Sequence, residues 1–583
     1  SESPSTAHPA IQIRRFRLLL TYCLLCLPLI VFGARAALRV NANSRLTWVS
    51  EDFPARRDFD AFRKTFGSGD VVVMGWEGCT IDDGRLTKLT KLLRHSKTFT
   101  QRDGSACFER VISGGEAYSA LIQPPVDLSE EEAARRLRGT LLGPDGNSTC
   151  LVIAFTPEAL VDRARLVRLI RLAANRHCSI PANDLHLAGP VLDGLEVDRA
   201  SQASLDGFAI PSAIAVLALC FVFLRDWRAA LLVFGLSVFC EGATLALVHY
   251  CGDSMSALLI VLPPLIQTAA VSGGIHLVNY YFDAATDGAV GAQAASRAIR
   301  LAWLPVALSA GTTAIGLGSL MVSDLAPIRS FGAYGTVGML LTTGLLLTVI
   351  PGVFALFPEL LKRRVNLVPR AEVSWSNAGW MQLSRFLARW HGVVAFGACA
   401  AIVGLGLGAG GLNTSVRIET LFDQNSSLLK DYAWLEHKIG PLVPIEIVMR
   451  CDARCQLTQL DRLRLVDDIE REAARLTGVG GTMSAATFAP DLQPPEGVSD
   501  EAFAQIAGRS LEEGRPKLIE VNYLHESGPV QEWRITARVS ALAKLDYGQF
   551  LDVVHERIQP LVADEGNEPL RGVSLRSTGI MPV

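Results

Sequence analysis

The sequence of 583 residues lacks the features that identify several large classes of protein. It has little net charge, since 55 Lys and Arg stand against 58 Asp and Glu, so nothing in its composition indicates a nucleic-acid partner. It has no P-loop pattern for binding a nucleoside triphosphate. Ser, His and Asp are abundant, but none stands in a recognisable nucleophile motif, so we predict that the chain is not an enzyme and needs no cofactor.

Long apolar runs are what the sequence has in abundance. Crossing a hydrocarbon core of about 30 Å takes roughly 20 apolar helical residues, and seven runs approach or exceed that length. They occur as one run, five close together, and one more: Leu18–Ala34, Gly207–Leu224, Ala229–Tyr250, Ser254–Phe282, Leu301–Ser323, Ser330–Pro358 and Gly392–Val416. The sequence therefore predicts a polytopic α-helical membrane protein with seven spans.

The distribution of Lys and Arg predicts the orientation of these spans. If the spans alternate, the basic short segments fall on one side, which is cytoplasmic by the positive-inside rule. They include Arg14, Arg15, Arg17, Arg225, Arg228, Arg297, Arg300, Lys362, Arg363 and Arg364. We therefore predict a cytoplasmic N-terminus and two external segments, 35–205 and 412–583. The first run is longer than a usual signal-peptide core, so we expect it to be retained.

The two external segments share one order of predicted elements. In the first, strands near 70–75, 107–112, 151–155 and 185–189 accompany helices near 81–95 and 157–177. In the second, strands near 444–449, 532–540 and 573–579 and weaker strand candidates accompany helices near 458–476 and 547–562. Both follow the βαββαβ order, so we predict two α+β ferredoxin-like domains.

The flanks of the two segments match as well. Phe62-Arg-Lys-Thr-Phe-Gly67 resembles Leu435-Glu-His-Lys-Ile-Gly440, and Ala188-Gly-Pro-Val191 resembles Thr578-Gly-Ile-Met-Pro-Val583. Gly189 is followed about 18 residues later by the second apolar run, whereas the sequence stops four residues after Gly579. A duplicated protein would carry five further spans, so we expect the natural protein to be longer.

The fourth run, Ser254–Phe282, contains no Asp, Glu, Lys or Arg, yet it is not uniformly apolar. At about 100° per residue, five polar residues at spacings of 4, 4, 3 and 4 share one narrow face. This polar stripe consists of Thr268, Ser272, His276, Asn279 and Asp283. Polar groups are costly in lipid, so we predict that the stripe faces the interior of the bundle. His276 either relays a proton or is bonded to Asn279 or a neighbouring helix.

Glu241 is the only carboxylate deep in any run, with Ser237 and Thr244 on its face. An unpaired membrane carboxylate needs a partner or a proton, so Glu241 is either a functional ionisable site or half of a structural pair. Whether it meets His276 cannot be decided from the sequence. The ion-coupling or relay candidates are Glu241, Ser272, His276 and Asn279.

Two sets of small or helix-breaking residues have structural interpretations. Pro263, Pro264, Gly273 and Gly274 interrupt the fourth run, where the backbone could hinge or could simply be kinked by packing. In the fifth run, Ser309, Thr312, Gly316, Ser319 and Ser323 share a face, with Thr313 beside them. Small residues allow close approach, so Thr312, Thr313 and Gly316 are predicted to pack against another helix.

Twelve cysteines divide between the runs and the external segments. Those in the runs are predicted to act as small apolar groups. In the external segments oxidation is expected, and Cys451 and Cys455 are close enough in sequence to form a disulfide. No His or second Cys pair stands nearby at zinc spacing, so we predict no metal site.

The fifth and sixth runs carry a recognisable motif. Ala310-Gly-Thr-Thr-Ala-Ile-Gly-Leu-Gly-Ser-Leu320, followed by Leu325-Ala-Pro-Ile-Arg-Ser-Phe-Gly332, resembles the RND (resistance-nodulation-division) superfamily. More narrowly, the sequence is similar to the MMPL and hydrophobe/amphiphile exporter branch, which is related to the sterol-sensing domain of Patched-like proteins. That branch commonly has G-I-D-Y-G-I-H in span four. Here Ala270-Val-Ser-Gly-Gly-Ile-His276 aligns with it, so Ser272 stands in place of the proton-carrying Asp.

The resemblance implies an RND-type exporter of a lipid or other hydrophobic molecule in a bacterial inner membrane. An ion gradient, of protons or sodium, would drive it, and a homo-oligomer or a periplasmic partner is expected. Two alternatives stay open. One is a non-transporting sterol or lipid sensor, which the loss of the Asp favours, and the other is an accessory of the SecD/SecF type.

The implied domain organisation has six parts. They are residues 1–38 with the first span, a first periplasmic domain at 39–204, a five-span core at 205–358, a cytoplasmic linker at 359–390, the seventh span at 391–411, and a second periplasmic domain at 412–583. The second part of the linker is either an amphipathic helix on the membrane surface or a plain connection.

Overall fold

The structure is a computed structural model of the chain. It describes residues 9–39, 48–67, 69–101, 103–124, 126–289, 291–357, 375–408, 426–494, 499–543, 545–563 and 570–579. Two compact units make up the chain. We call Ser1–Asn43 with Ala200–Ser415 the helical unit, and Ser44–Arg199 with Val416–Val583 the sheet unit.

The helices and strands are numbered in chain order. They are α1 (Pro9–Arg39), α2 (Pro54–Phe66), β1 (Val71–Trp76), α3 (Gly84–His95), β2 (Phe108–Ser113), α4 (Gly114–Ile122), α5 (Glu130–Leu137), β3 (Leu151–Phe155), α6 (Arg163–Cys178), β4 (Leu185–Ala188), α7 (Pro190–Leu224), α8 (Trp227–Tyr250), α9 (Leu262–Thr286), α10 (Ala292–Ser319), α11 (Ala326–Leu356), α12 (Trp375–Gly408), α13 (Ser427–Lys438), β5 (Val443–Cys451), α14 (Gln459–Ala474), β6 (Val479–Ser484), α15 (Asp500–Glu520), β7 (Leu524–Ser527), β8 (Val530–Val539), α16 (Tyr547–Ile558) and β9 (Val573–Gly579).

Seven helices of the described chain, α1 and α7 to α12, are long and apolar enough to cross a membrane. Each overlaps one of the seven predicted runs, but α7 and α10 begin well before their runs, at Pro190 and Ala292, and the fourth begins later than expected. Residues 409–416 of the seventh run lie outside the described residues. A single 3₁₀ turn, Leu259–Val261, precedes α9, and residues 254–258 are not helical. Helix α12 contains non-helical backbone at Trp390. It includes the second part of the predicted linker, whereas residues 359–374 lie outside the described residues.

Within the helical unit, α9 lies against α8, α10 and α11, while α1 packs along α8 and α10 packs along α11. The side chains buried on α8, α9 and α11 are mostly apolar, among them Val233, Ile266, Leu346 and Ile350, and a few are polar, among them Ser237, Thr244, Gln267 and Thr342. The described side chains of α12 are exposed along its whole length. The buried core of this unit therefore comes from a tight group of helices centred on α8, α9 and α11.

The first sheet module is an antiparallel sheet in the order β2-β3-β1-β4. Along β3, Leu151, Ile153 and Phe155 are fully buried, whereas Val152 and Ala154 between them are only half-buried. This alternation places the first set under α3 and α6 and leaves the second on the other face. Helix α6 begins at Arg163 rather than near Pro157, because residues 159–162 form a 3₁₀ turn.

The second sheet module is antiparallel in the order β6-β8-β5-β9, and β7 is added on the other edge of β8. Ile445, Ile447 and Met449 of β5 are fully buried, as are Ile535 and Val539 of β8. Helices α14 and α16 pack on this sheet, and α15 is a long insertion between β6 and β7.

The two modules exchange their first helices. Phe59, Phe62 and Phe66 of α2 form a cluster with Val448 of β5, so the helix that precedes the first sheet packs on the second. In return, α13 packs against β4 of the first sheet. There the Tyr432 hydroxyl accepts a 3.1 Å bond from the Gly189 amide. The first pair of matching flanks, Phe62–Gly67 and Leu435–Gly440, marks the ends of these exchanged helices.

Candidate functional site

The polar stripe of α9 does not face the interior of the described bundle. Thr268, Ser272, His276 and Asp283 are exposed and Asn279 is half-buried. The opposite face of α9 is the buried one, formed by Ile266, Ala270, Gly274, Leu277, Val278 and Tyr281. The predicted inward orientation is therefore wrong for the described helices. Apolar residues on α8, α10 and α11 match the apolar face of α9, and the polar face is left uncovered.

Most of the stripe is also without hydrogen bonds inside the described chain. The Thr268 hydroxyl donates to the Pro264 carbonyl within its own helix. The side chains of Ser272, His276 and Asn279 have no hydrogen-bond partner among the described residues, so a bond between His276 and Asn279 is not formed. An exposed imidazole and hydroxyl and a half-buried amide, on a helix of this apolarity, form a surface that can bind an ion or another polar helix.

Glu241 lies on α8, half-buried, between the buried Ser237 and Thr244. Within the described residues its carboxylate makes no hydrogen bond or ion pair. A Cβ built on Gly338 of α11 would lie 2.7 Å from Thr244 and 3.0 Å from Ile266, so these two residues are level with each other. Glu241 comes three residues before Thr244 in α8, and His276 comes ten residues after Ile266 in α9, which runs antiparallel to α8. At about 1.5 Å per residue, His276 therefore lies about 10 Å from Glu241 along the helix axes, on the exposed face of α9. The two ionisable candidates do not meet.

The predicted hinge residues of α9 have packing roles. Pro263 and Pro264 lie in the first turn of the helix, where a missing amide hydrogen costs nothing, so they start the helix and do not interrupt it. Gly273 and Gly274 lie inside a continuous helix. A Cβ on Gly274 would lie 2.7 Å from Val233 of α8, and one on Gly273 would lie 3.0 Å from Leu346 of α11. The glycine pair therefore allows close contact with both neighbours.

The predicted packing face of α10 is uncovered as well. Thr312, Thr313 and Gly316 are exposed, and a Cβ on Gly316 would meet no atom within 4 Å. The glycines that allow close approach are on α11 instead. A Cβ on Gly332 would lie 2.7 Å from the Leu317 carbonyl of α10. The prediction is thus wrong about the residues of α10, since α11 supplies the small residues at this helix pair.

Cys451 and Cys455 lie at the end of β5 and in the turn that follows it, and both are buried free thiols. The turn is closed by a 3.0 Å bond from the Cys455 amide to the Asp452 carbonyl. Burial, together with the adjacent Cys455 thiol, raises the pKa of the Cys451 thiol to about 12. The two sulfurs are neighbours, but the predicted disulfide is not formed in this structure.

The sheet unit contains a cavity of about 830 Å³ that sequence reasoning did not find. One face of each sheet forms its walls. From the first sheet come two cross-strand rows, Val71–Ala154–Arg110 and Val73–Val152–Ile112. From the second come Pro444, Glu446, Met483, Arg534, Thr536 and Arg538, and α15 adds Ser510, Leu511, Gly514 and Lys517. We call this space the inter-sheet cavity. Its volume is within the range of small-molecule sites.

Glu446 and Arg534 form the main charged contact of the inter-sheet cavity. Glu446 is only 3% exposed and accepts bonds of 2.9 and 2.6 Å from the Arg534 guanidinium, plus one of 2.7 Å from the Thr536 hydroxyl. Burial alone would lower the pKa of Arg534, but the Glu446 carboxylate outweighs it and the net pKa is raised. The guanidinium also lies 5.1 Å from the Phe62 ring centre. This pair is neutral as a whole and fixed in place.

Two other arginines of the inter-sheet cavity are also bonded, whereas Arg110 is not. Arg94 donates to Glu116 at 2.7 Å, and Arg538 donates to the Thr140 carbonyl at 2.6 Å. Arg110, which is half-buried, has no hydrogen bond or ion pair to any described residue. Burial lowers the pKa of Arg110, and Glu109 offsets part of that effect from a distance.

A signal for one part of this cavity was present in the sequence. Ser113-Gly-Gly-Glu116 is a capping-box pattern, and the Ser113 side chain accepts from the Glu116 amide at the start of α4. The two glycines obscured that helix. The cavity itself depends on which strands pair, which no local pattern reveals.

In the part of the chain that the structure describes, no group of three or more His, Cys, Asp or Glu side chains could hold a metal ion.

Comparisons with known proteins give a family match and matches among solved structures. No curated protein matches this chain. Two solved structures, X-ray crystal structures of a heavy metal efflux pump in crystal forms II and I, are each 13% identical with a TM-score of 0.32. Each match covers 74% of this chain and 37% of the pump, so the chain spans little more than a third of that protein. The model of the MMPL family matches residues 88–394, more than half of the sequence. The chain therefore belongs to the MMPL family.

Proposed function

We propose that the chain acts as an ion-gradient-driven RND-type transporter that exports a lipid or another hydrophobic molecule from a bacterial inner membrane. The observation that carries the proposal is the polar stripe, an ionisable surface on a helix long and apolar enough to cross a membrane. Exposing such groups to hydrocarbon costs free energy, so their presence needs a functional reason. Coupling ion movement to transport supplies one.

In this proposal His276 is the proton-carrying group of the stripe, because Ser272 cannot ionise where the family resemblance has an Asp. Ser272 and Asn279 would supply oxygen atoms to a proton, hydronium or sodium ion beside it. Glu241 would act separately, since it lies about 10 Å away along the helix axis and on another face. The proposal thus has two ionisable positions, each testable by itself.

The inter-sheet cavity is the proposed binding place for the substrate. Its walls are mostly apolar, and they belong to two modules that we propose to be a duplicated ferredoxin-like pair in the periplasm. Basic residues beside the predicted cytoplasmic loops support a cytoplasmic N-terminus. A lipid taken from the outer half of the membrane would then have a sheltered apolar site outside it. The proposed domain limits and a homo-oligomer or periplasmic partner belong to the same proposal.

The test is gradient-driven lipid movement by the full chain in proteoliposomes. An NBD-labelled phosphatidylethanolamine serves as the probe, and its accessibility to dithionite is followed under a proton gradient, a sodium gradient or neither. We expect movement under one gradient and its loss when an ionophore collapses that gradient. His276→Gln and Glu241→Gln should each reduce the rate about ten-fold or more, because a relay loses its titrating group.

His249→Gln is the matched control, since His249 lies at the end of α8 away from the stripe. It should transport at the wild-type rate. Transport that persists without any gradient, or full activity in both relay variants, would overturn ion coupling. Lipid binding with no movement under either gradient would instead support the sensor, which the Ser272 position favours.

A further inference from the structure

Arg110 differs from the other cations of the inter-sheet cavity. It lies on β2 directly opposite Ala154, which in turn lies opposite Val71 on β1. Since β2 is an edge strand, Arg110 is the end member of a cross-strand row whose other members are apolar. The neighbouring Arg534 is already neutralised by Glu446, to which it donates two bonds, and Arg94 is neutralised by Glu116, to which it also donates. Among the described residues, nothing neutralises Arg110 in the same way.

A half-buried guanidinium without a partner has given up part of its hydration for no hydrogen bond. Such a group costs free energy until an anion is bound, and the planar fork of arginine fits a carboxylate or a phosphate with two parallel bonds. The strand register fixes the backbone position of Arg110, because β2 pairs with β3 on both sides of a bulge between Phe108 and Arg110. The position is therefore prepared for an anionic group.

The surroundings of Arg110 indicate an amphiphile rather than a small ion. Apolar side chains of both sheets and of α15 line the space next to it: Val71, Val73, Val152, Ile112, Met483 and Leu511. A free anion would use the guanidinium and leave this apolar wall in contact with water. A molecule with an acidic head and a hydrocarbon body would cover both surfaces.

We propose that Arg110 is a specificity-determining residue of the inter-sheet cavity, binding the carboxylate or phosphate head of an anionic amphiphile whose apolar body lies between the two sheets. The proposal rests on the proposed function, which it deepens by naming the substrate class. It concerns binding, so it can be tested without transport.

The experiment measures binding to the full chain in nanodiscs, with empty nanodiscs as the blank. Octyl phosphate and octanoate are the anionic probes, octyltrimethylammonium is the cationic one, octyl glucoside is the neutral one, and inorganic phosphate tests a free anion. Isothermal titration gives each dissociation constant. We expect octyl phosphate and octanoate to bind about ten-fold or more tightly than octyl glucoside, as charge-assisted hydrogen bonds require.

The variant Arg110→Gln should remove this preference and leave the affinity for octyl glucoside unchanged. Lys517→Gln is the matched control, because Lys517 lines the same cavity but is exposed and hydrated. The Lys517→Gln variant should keep most of the preference for the anionic probes over octyl glucoside. Melting curves of both variants verify that each is folded.

Three results would overturn the proposal. In the first, Arg110→Gln loses equal affinity for the anionic and the neutral probes. In the second, Lys517→Gln reduces the preference for the anionic probes as much as Arg110→Gln does. In the third, inorganic phosphate binds as tightly as octyl phosphate. Failure of gradient-driven transport with the headgroup preference intact would count against the proposed function alone.

Discussion

The buried ion pair of the inter-sheet cavity gives the sharpest prediction about stability. Glu446→Gln keeps the shape of the side chain but removes the charge that neutralises Arg534. The carboxylate is only 3% exposed, and all of its bonds to Arg534 and Thr536 are between 2.6 and 2.9 Å. The variant therefore leaves a guanidinium in the cavity wall with no counter-charge.

Removing one partner of a buried pair costs about 3–5 kcal/mol, far more than the pair contributes relative to an apolar replacement. In a unit of this size that loss lowers the melting temperature by about 5 °C or more. The matched control is Asp467→Asn, which breaks the pair with Arg471 on α14. There the arginine is 52% exposed and the aspartate 28% exposed, so the expected cost is about 1 kcal/mol or less.

The assay is thermal unfolding of the full chain followed by tryptophan fluorescence. Trp533 is suited as a probe, because it is 2% exposed and adjoins Arg534 in β8. A double variant, Glu446→Gln with Arg534→Met, should recover part of the loss, since it removes the stranded charge. If Glu446→Gln and Asp467→Asn lower the melting temperature equally, the argument from burial is refuted.

Two further predictions concern a helix contact and a pH dependence. Gly274→Ala forces a methyl group against Val233 at 2.7 Å and should cost about 1–3 kcal/mol of stability, whereas Gly316→Ala, which meets nothing within 4 Å, should be neutral or slightly stabilising. Thermal aggregation of the detergent-solubilised variants measures the difference, and an equal loss in both would contradict the packing described. Burial raises the pKa of Glu470 despite its bond from the Ser484 hydroxyl. The contribution of Glu470 to stability is therefore complete below a pH of about 4.3, the ordinary pKa of Glu, and it is lost as the pH rises through the raised pKa. Glu470→Gln should match the wild type near pH 4 and exceed its melting temperature increasingly toward neutral pH; a constant difference would refute the shift.

Features set by local sequence were predicted well. The seven apolar runs correspond to seven helices, because spanning length and apolarity are properties of a continuous stretch. Strands β3 and β9 have the predicted bounds, Leu151–Phe155 and Val573–Gly579, since alternating burial is visible within a few residues. The exchanged helices α2 and α13 appeared in the sequence as matching flanks, although their exchange did not.

Features that depend on distant neighbours were not predicted. Helical spacing gave the angular position of the polar stripe on α9 but not the helices beside it, so the face expected inside is exposed. Arg110 has no sequence signature, because its lack of a partner depends on the side chains that strand pairing and the packing of the two modules bring near it. The glycines of α11 that allow close helix contact were not predicted, because the small residues of α10 also fit the rule that small residues lie where helices approach closely.

The exchange of α2 and α13 has a consequence for biosynthesis. The first sheet is translated in full by Ala188, yet the helix that packs on β4 begins only at Ser427, after α7 to α12 have been made. Until α13 is made, β4 lacks the helix that packs against it, and α2 cannot pack against β5. Contacts this distant in the chain form slowly and expose apolar surface meanwhile. A ribosome paused between the two halves would hold an incomplete first module, the stage at which a chaperone would be needed most.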